Sequence, residues 1–154
     1  RLLLAGEPDT ENPDAFDRTT LERWGALPGV RWLGHVEDVR KVWDEAHVAV
    51  LASVREGLPK TLLEAAAVGR PIVGADVPGT RAIARAGENA LLVPPGDERA
   101  LADALAVLAS DRDLRRSFGK ASRRIVEQGF SDDAIAAQTL SVYRLILTQL
   151  CQAT

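Results

Sequence analysis

Five short apolar runs, each closed by turn residues, divide the chain at Leu2 to Ala5, Val30 to Leu33, Val48 to Ala52, Pro71 to Gly74 and Leu91 to Val93. Each has the length of a buried strand. Between them lie stretches with helical spacing, at about Thr19 to Ala26, Val39 to Ala46, Lys60 to Val68 and Thr80 to Ala86. Strand and helix in alternation predict right-handed βαβ units. The fold class is therefore α/β, a parallel doubly wound sheet covered by helices.

The pattern changes after Val93. Pro94-Pro95-Gly96-Asp97 stops the strand, and Asp97 caps a helix whose apolar positions are Leu101, Leu105 and Leu108. A second helix is expected from about Asp111 to Gln128. Ser131 opens a third, with an apolar stripe of Ile135, Leu140, Tyr143, Leu147 and Leu150. The longest loop, Glu7 to Asp17, is acidic and belongs on the surface.

At 154 residues with 46% hydrophobic side chains, the chain has the size of one domain with a continuous core. Lys and Arg number 19 against 22 Asp and Glu, a net charge of -3 that argues against nucleic acid as the main partner. Cys151 is the single cysteine, which excludes a disulfide framework within the chain. His35 and His47 lie apart, so no metal site is expected. Charged residues interrupt every apolar run well short of the roughly eighteen residues that span a bilayer. The chain starts at Arg1 without an initiator Met, as a piece of something longer would.

The stretch Ser53 to Val73 carries the chemistry. It follows a buried strand, and in open α/β sheets ligands bind beyond the carboxyl ends of strands, where the next helix begins. Glu56 and Gly57 occupy that place. Pro59 is suited to the first helical turn, leaving the amides of Lys60, Thr61 and Leu62 free to face an anion such as a diphosphate. Gly57 lets a ligand approach the backbone, and Lys60 adds positive charge. Glu64, one turn further on the same face, is placed to accept hydrogen bonds from two adjacent hydroxyls, as a ribose offers. The same spacing also makes a solvated Lys60–Glu64 ion pair worth about 0.3–0.5 kcal/mol.

Glu56 and Glu64, eight positions apart within Arg-Glu-Gly-Leu-Pro-Lys-Thr-Leu-Leu-Glu-Ala, resemble the Glu-x7-Glu signature of glycosyltransferase family 4, the group 1 glycosyltransferases. The wording is similar to that of bacterial members that build surface polysaccharides. Val30 to Val36, Ala46 to Ser53, Asp76 to Arg81 and Leu91 to Asp97 resemble further segments of the family, so nearly the whole chain is covered. The resemblance implies the C-terminal half of a GT-B fold, which binds a nucleoside diphosphate sugar such as a UDP- or GDP-sugar. It implies retaining transfer to a hydroxyl, with no metal or other cofactor. By resemblance Glu56 is the catalytic-site glutamate that meets the donor sugar, and Glu64 holds the ribose. Amides around Gly57, Leu58, Pro59, Lys60 and Thr61 face sugar and diphosphate, and backbone groups near His35 and Val36 meet the base.

The family also places an additional strand and helix before this point, carrying an arginine and a lysine that neutralise the leaving diphosphate. The first strand here resembles the family's second. The fold is thus expected to lack its first strand and helix, leaving Leu2 to Ala5 and Val48 to Ala52 each with an open edge beside a vacant central slot. An N-terminal acceptor domain of the same parent chain is the implied partner. Taken alone, the chain is expected to be inactive. A cytoplasmic location follows from the resemblance, with any approach to the inner membrane face made through the other domain.

Other residues carry two readings. His35 suits a base or sugar contact, or solvent; Arg55 suits a phosphate, or Glu56. His47 reads as structural, and Trp24, Trp32 and Trp43 as packing residues. Ala82 stands where relatives commonly have glutamate, and Ala90 where a glycine is frequent. A dinucleotide-dependent oxidoreductase is disfavoured because Leu4-Ala5-Gly6-Glu7-Pro8-Asp9 is not its glycine-rich turn. A nucleotide-sugar epimerase of GT-B architecture and a non-catalytic α/β binding module are the alternatives.

Overall fold

The computed structural model describes residues 1–13 and 15–152; the side chains of Leu150, Cys151 and Gln152 lie outside that description. Two compact units are formed, Arg1–Ala46 and His47–Thr154.

The first unit contains β1 (Leu2–Leu4), α1 (Arg18–Gly25), β2 (Val30–Trp32) and α2 (Arg40–Glu45). β1 and β2 run parallel, with Leu2 opposite Val30 and Leu4 opposite Trp32. Asp17 caps α1, its carboxylate accepting from the Thr20 amide at 2.6 Å. That hydrogen bond holds the Asp17 carboxyl below its ordinary range. Helix and strand approach closely where Gly25 faces Trp32; a Cβ on Gly25 would lie 3.0 Å from that of Trp32. Glu45 accepts from both Arg1 and Arg31, and the Arg31 guanidinium lowers its pKa. Among the described residues of this unit, Trp43 is the buried hydrophobic one.

The second unit contains β3 (Ala49–Leu51), α3 (Lys60–Ala67), β4 (Ile72–Ala75), α4 (Pro78–Arg81), β5 (Ala90–Val93), α5 (Glu98–Ser110), α6 (Arg112–Gly129) and α7 (Asp132–Gln152). The parallel sheet has the order β3-β4-β5. β4 is central and buried along its whole length, as its unbroken apolar sequence requires. Val73, Val93, Ala104, Leu108 and Phe118 form a core between sheet and helices. Burying a side chain such as Leu108 contributes about 1.5–3 kcal/mol. Asp97 and Asp111 cap α5 and α6 through the amides of Ala100 and Leu114, and Ser131 caps α7 through Ala134.

Among the described residues β1 pairs only with β2 and β3 only with β4. Both ladders keep the order that the strand assignment expects, and Ala90 sits in ordinary extended backbone, with no positive φ.

Three expectations need correction. The helix expected at Thr80 to Ala86 is the shorter α4, which starts at Pro78 and ends at Arg81. It stops because the Ile83 and Ala84 amides both return to the Thr80 carbonyl while the Asn89 side chain takes the Arg85 amide. The apolar stripe of α7 is not buried: Ile135, Leu140, Tyr143 and Leu147 are exposed, and Leu150 and Cys151 lie outside the described side chains. His47 is exposed rather than satisfied within the fold. No described helix is long and apolar enough to cross a membrane.

Candidate functional site

β3 delivers the chain to residues 52–59, and α3 carries it away toward β4. Leu62, Ala65 and Ala66 form the buried face of α3, which packs against β3, β4 and α6. With that face held, Lys60 and Glu64 are turned outward on the opposite side. Lys60 is almost fully exposed, Glu64 is half-buried, and their charged groups lie 3.7 Å apart. The ion pair anticipated from their spacing is therefore present.

Pro59 needs correction. It is the N-cap of α3 with extended backbone, not its first helical residue, and it is buried. Its carbonyl accepts from Leu62 at 3.0 Å and from Leu63 at 3.2 Å. Of the three amides expected to be free, that of Leu62 is thus bonded; those of Lys60 and Thr61 have no partner among the described residues. No side-chain oxygen caps the helix. The first turn keeps the partial positive charge of unpaired N–H groups, to which Lys60 adds a full one.

Glu56 is half-buried, and Arg55, Gly57 and Leu58 are exposed. Arg55 makes no ion pair with Glu56 among the described residues, leaving its guanidinium available to an outside anion. Seven of the nine candidate residues, Glu56, Gly57, Leu58, Pro59, Lys60, Thr61 and Glu64, are brought together by this one loop and helix in the second unit. His35 and Val36 belong to the first unit.

There the loops after β1 and β2 are tied together. Gly6 N–H donates to the Gly34 carbonyl at 2.8 Å, and Trp32 Nε1 donates to the Gly6 carbonyl at 2.8 Å. The His35 amide donates to Glu7 Oε1 at 3.1 Å, and Arg18 binds the other Glu7 oxygen while lying 5.2 Å over the Trp32 ring. The His35 amide is therefore committed to Glu7, while that of Val36 has no partner among the described residues. Glu7 is thus the residue that fixes the His35 amide, a contact that the sequence reading missed. Nothing in its local sequence announces the contact, which depends on β1 and β2 lying in register.

Two clefts open elsewhere. One, of about 280 Å³, is walled by Phe16, Trp24, Trp32 and the Gly6-to-Asp9 loop; the other, of about 430 Å³, lies along α6 beside Gly69. Neither is lined by Glu56 or Glu64. No group of His, Cys, Asp and Glu among the described residues is arranged to hold a metal ion. What the α3 mouth can do chemically is hold a polyanion at the helix start and offer two carboxylates to hydroxyl groups.

The family model described as "Glycosyl transferases group 1" matches residues 1–111. The capsular polysaccharide biosynthesis glycosyltransferase CapM of Staphylococcus aureus is 30% identical over 149 residues, covering 97% of this chain and 39% of its own length. Sucrose-phosphate synthase from Thermosynechococcus elongatus superposes with a TM-score of 0.81 at 30% identity, over 96% of this chain and 39% of that one. HepE of Anabaena, solved in complex with UDP, gives a TM-score of 0.81 at 21% identity, over 92% of this chain and 40% of that one. The parallel sheets and flanking helices match those of GT-B C-terminal domains. The chain spans about two fifths of the length of these relatives.

Proposed function

Because the chain belongs to the group 1 glycosyltransferases, we propose that it is the donor-binding part of an enzyme that moves a sugar from a nucleoside diphosphate to a hydroxyl. We place the reaction, with retention of anomeric configuration, in the synthesis of bacterial surface polysaccharide or glycolipid. One observation supports the reading most strongly: Glu56 and Glu64 bracket a helix start whose cap is a proline and whose first two amides have no partner among the described residues.

In this reading the diphosphate sits at the α3 mouth, drawn by the amides of Lys60 and Thr61 and by the Lys60 ammonium. Glu64 exchanges its ion pair with Lys60 for the two ribose hydroxyls. Glu56, one loop earlier, accepts hydrogen bonds from the donor sugar. As the glycosidic bond breaks, negative charge grows on the leaving diphosphate, and fixed positive groups stabilise that charge more than the ground state. The leaving group can itself take the acceptor proton, so these residues act by positioning and electrostatics.

Both units are proposed to form one donor-binding domain, completed in the full protein by an acceptor domain that supplies the hydroxyl. Titration of UDP and GDP into the full-length protein, with transfer of labelled sugar from UDP-glucose or GDP-mannose, tests the reading. Saturable binding with release of the nucleoside diphosphate is expected. Epimerised donor without transfer would instead favour the epimerase alternative.

A further inference from the structure

Gly79 stands in α4, far in sequence from Glu56, yet the two backbones touch. A Cβ built on Gly79 would come within 2.5 Å of the Glu56 carbonyl carbon and closer still to the carbonyl oxygens of Glu56 and Gly57. Real Cβ atoms essentially never approach a heavy atom nearer than 3.0 Å. Gly79 has no positive φ, so conformational freedom does not explain a glycine here. Space does. We infer that Gly79, by carrying no side chain, seats the Glu56–Gly57 backbone and is a positioning residue for the donor contact of Glu56. The inference rests on the function proposed above.

The two sides of this contact differ in rigidity. α4 is anchored: Val77, Thr80, Ile83 and Ala84 are buried, and the Ile83 and Ala84 amides bond to the Thr80 carbonyl. The Thr80 methyl rests on Gly74 of β4, where an added Cβ would lie 2.9 Å from it. Arg81 closes the turn by donating to Asp76 Oδ1 at 2.6 Å. The loop opposite is exposed at Ala52, Val54, Arg55, Gly57 and Leu58. A methyl group at position 79 therefore displaces the loop, by roughly 1 Å to restore ordinary contact. A shift of that size at a reacting centre costs on the order of 100-fold in rate. Glu64 rides on α3, whose inner face is fixed independently, so nucleotide binding is spared.

The test compares Gly79→Ala, Glu56→Ala and the double variant in the full-length protein. Turnover of UDP-glucose or GDP-mannose gives kcat, and titration of UDP or GDP gives nucleotide affinity. Gly79→Ala is expected to lower kcat 10- to 100-fold with nucleotide affinity kept within about threefold, and to add little to the loss in the Glu56→Ala background. A kcat unchanged by Gly79→Ala, with Glu56→Ala still damaging, overturns the inference and leaves the proposed function standing. Full and independent loss in the double variant also overturns it. If Glu56→Ala itself has no effect on turnover, the proposed role of Glu56 fails and the inference with it. Should Gly79→Ala not fold, Thr80→Ser decides, because it removes the methyl that seats α4 on Gly74: a severalfold lower kcat supports the inference, and an unchanged kcat overturns it.

Discussion

Gly119 of α6 lies directly against the carbonyl of Gly69, the residue that ends the turn after α3. A Cβ on Gly119 would sit 3.2 Å from the Gly69 carbonyl carbon and closer to its oxygen, and Gly69 itself holds a φ of +70°. This contact sets how near α6 can come to the helix that carries Lys60 and Glu64. Gly119→Ala is expected to destabilise the protein by about 1–3 kcal/mol through overpacking, despite alanine's better helix propensity. Urea unfolding measures it. Gly129→Ala, where an added Cβ meets nothing within 4 Å, is the control and should change little.

Asn89 is a buried polar knot. Its Nδ2 donates to the Ile83 carbonyl and to Ser122 Oγ, both at 3.1 Å, and its Oδ1 accepts from the Arg85 amide at 2.7 Å. Asn89→Ala strands these partners away from water. The expected loss is about 2–4 kcal/mol, read from the denaturant midpoint. A loss under about 1 kcal/mol would mean that water enters and replaces the amide.

Glu64 and Glu56 should separate in their effects. Glu64→Ala is expected to weaken nucleoside diphosphate binding by about 1–3 kcal/mol, the range of hydrogen bonds to a charged group. Glu56→Ala should act mainly on turnover. Calorimetric titration of UDP or GDP against each variant checks the division, and equal losses of affinity would contradict it.

The Asp76–Arg81 pair gives an acid dependence. Its hydrogen bond from Arg81 holds the Asp76 carboxyl below its ordinary value of 3.8. A carboxylate depressed in the folded state stabilises fully above the unfolded value, and that contribution disappears as pH falls through the folded one. The stability difference between wild type and Asp76→Asn should therefore be constant from pH 7 to about 5 and shrink only below about 4. Denaturant titrations across that range follow it; shrinkage near neutrality would point to a different group.

Local chemistry made much of this fold legible. Asp97 and Ser131 could be read as caps because a short acceptor before a helical run bonds its own neighbouring amides, within three residues; Asp111, expected as the start of its helix, proves to be a third. The strands were legible as short apolar runs closed by turn residues, most plainly β4, which is buried along its whole length, and least plainly β2, which Arg31 interrupts. Glu56 and Glu64 stood out through their spacing. What escaped notice depends on contacts outside any helix or strand repeat. The end of α4 is fixed by Asn89, the amide of His35 by Glu7, and the seat of Glu56 by Gly79. Glu7 and Gly79 come from other loops or helices, and Asn89 acts through a side-chain bond inside its own loop, so no periodicity records any of the three. Pro59 was misplaced by one position because proline is compatible with both the cap and the first helical residue.

The proline cap of α3 also divides that helix's first turn by solvent exchange. The amides of Leu62 and Leu63 both point to the Pro59 carbonyl, whereas those of Lys60 and Thr61, on exposed residues, have no acceptor in the described chain. Deuterium should therefore enter Lys60 and Thr61 at nearly the rate of an unstructured peptide, while their two neighbours exchange only when the turn opens. A nucleotide seated at that mouth would erase the contrast, making two adjacent amides a direct reporter of occupancy without any assay of chemistry.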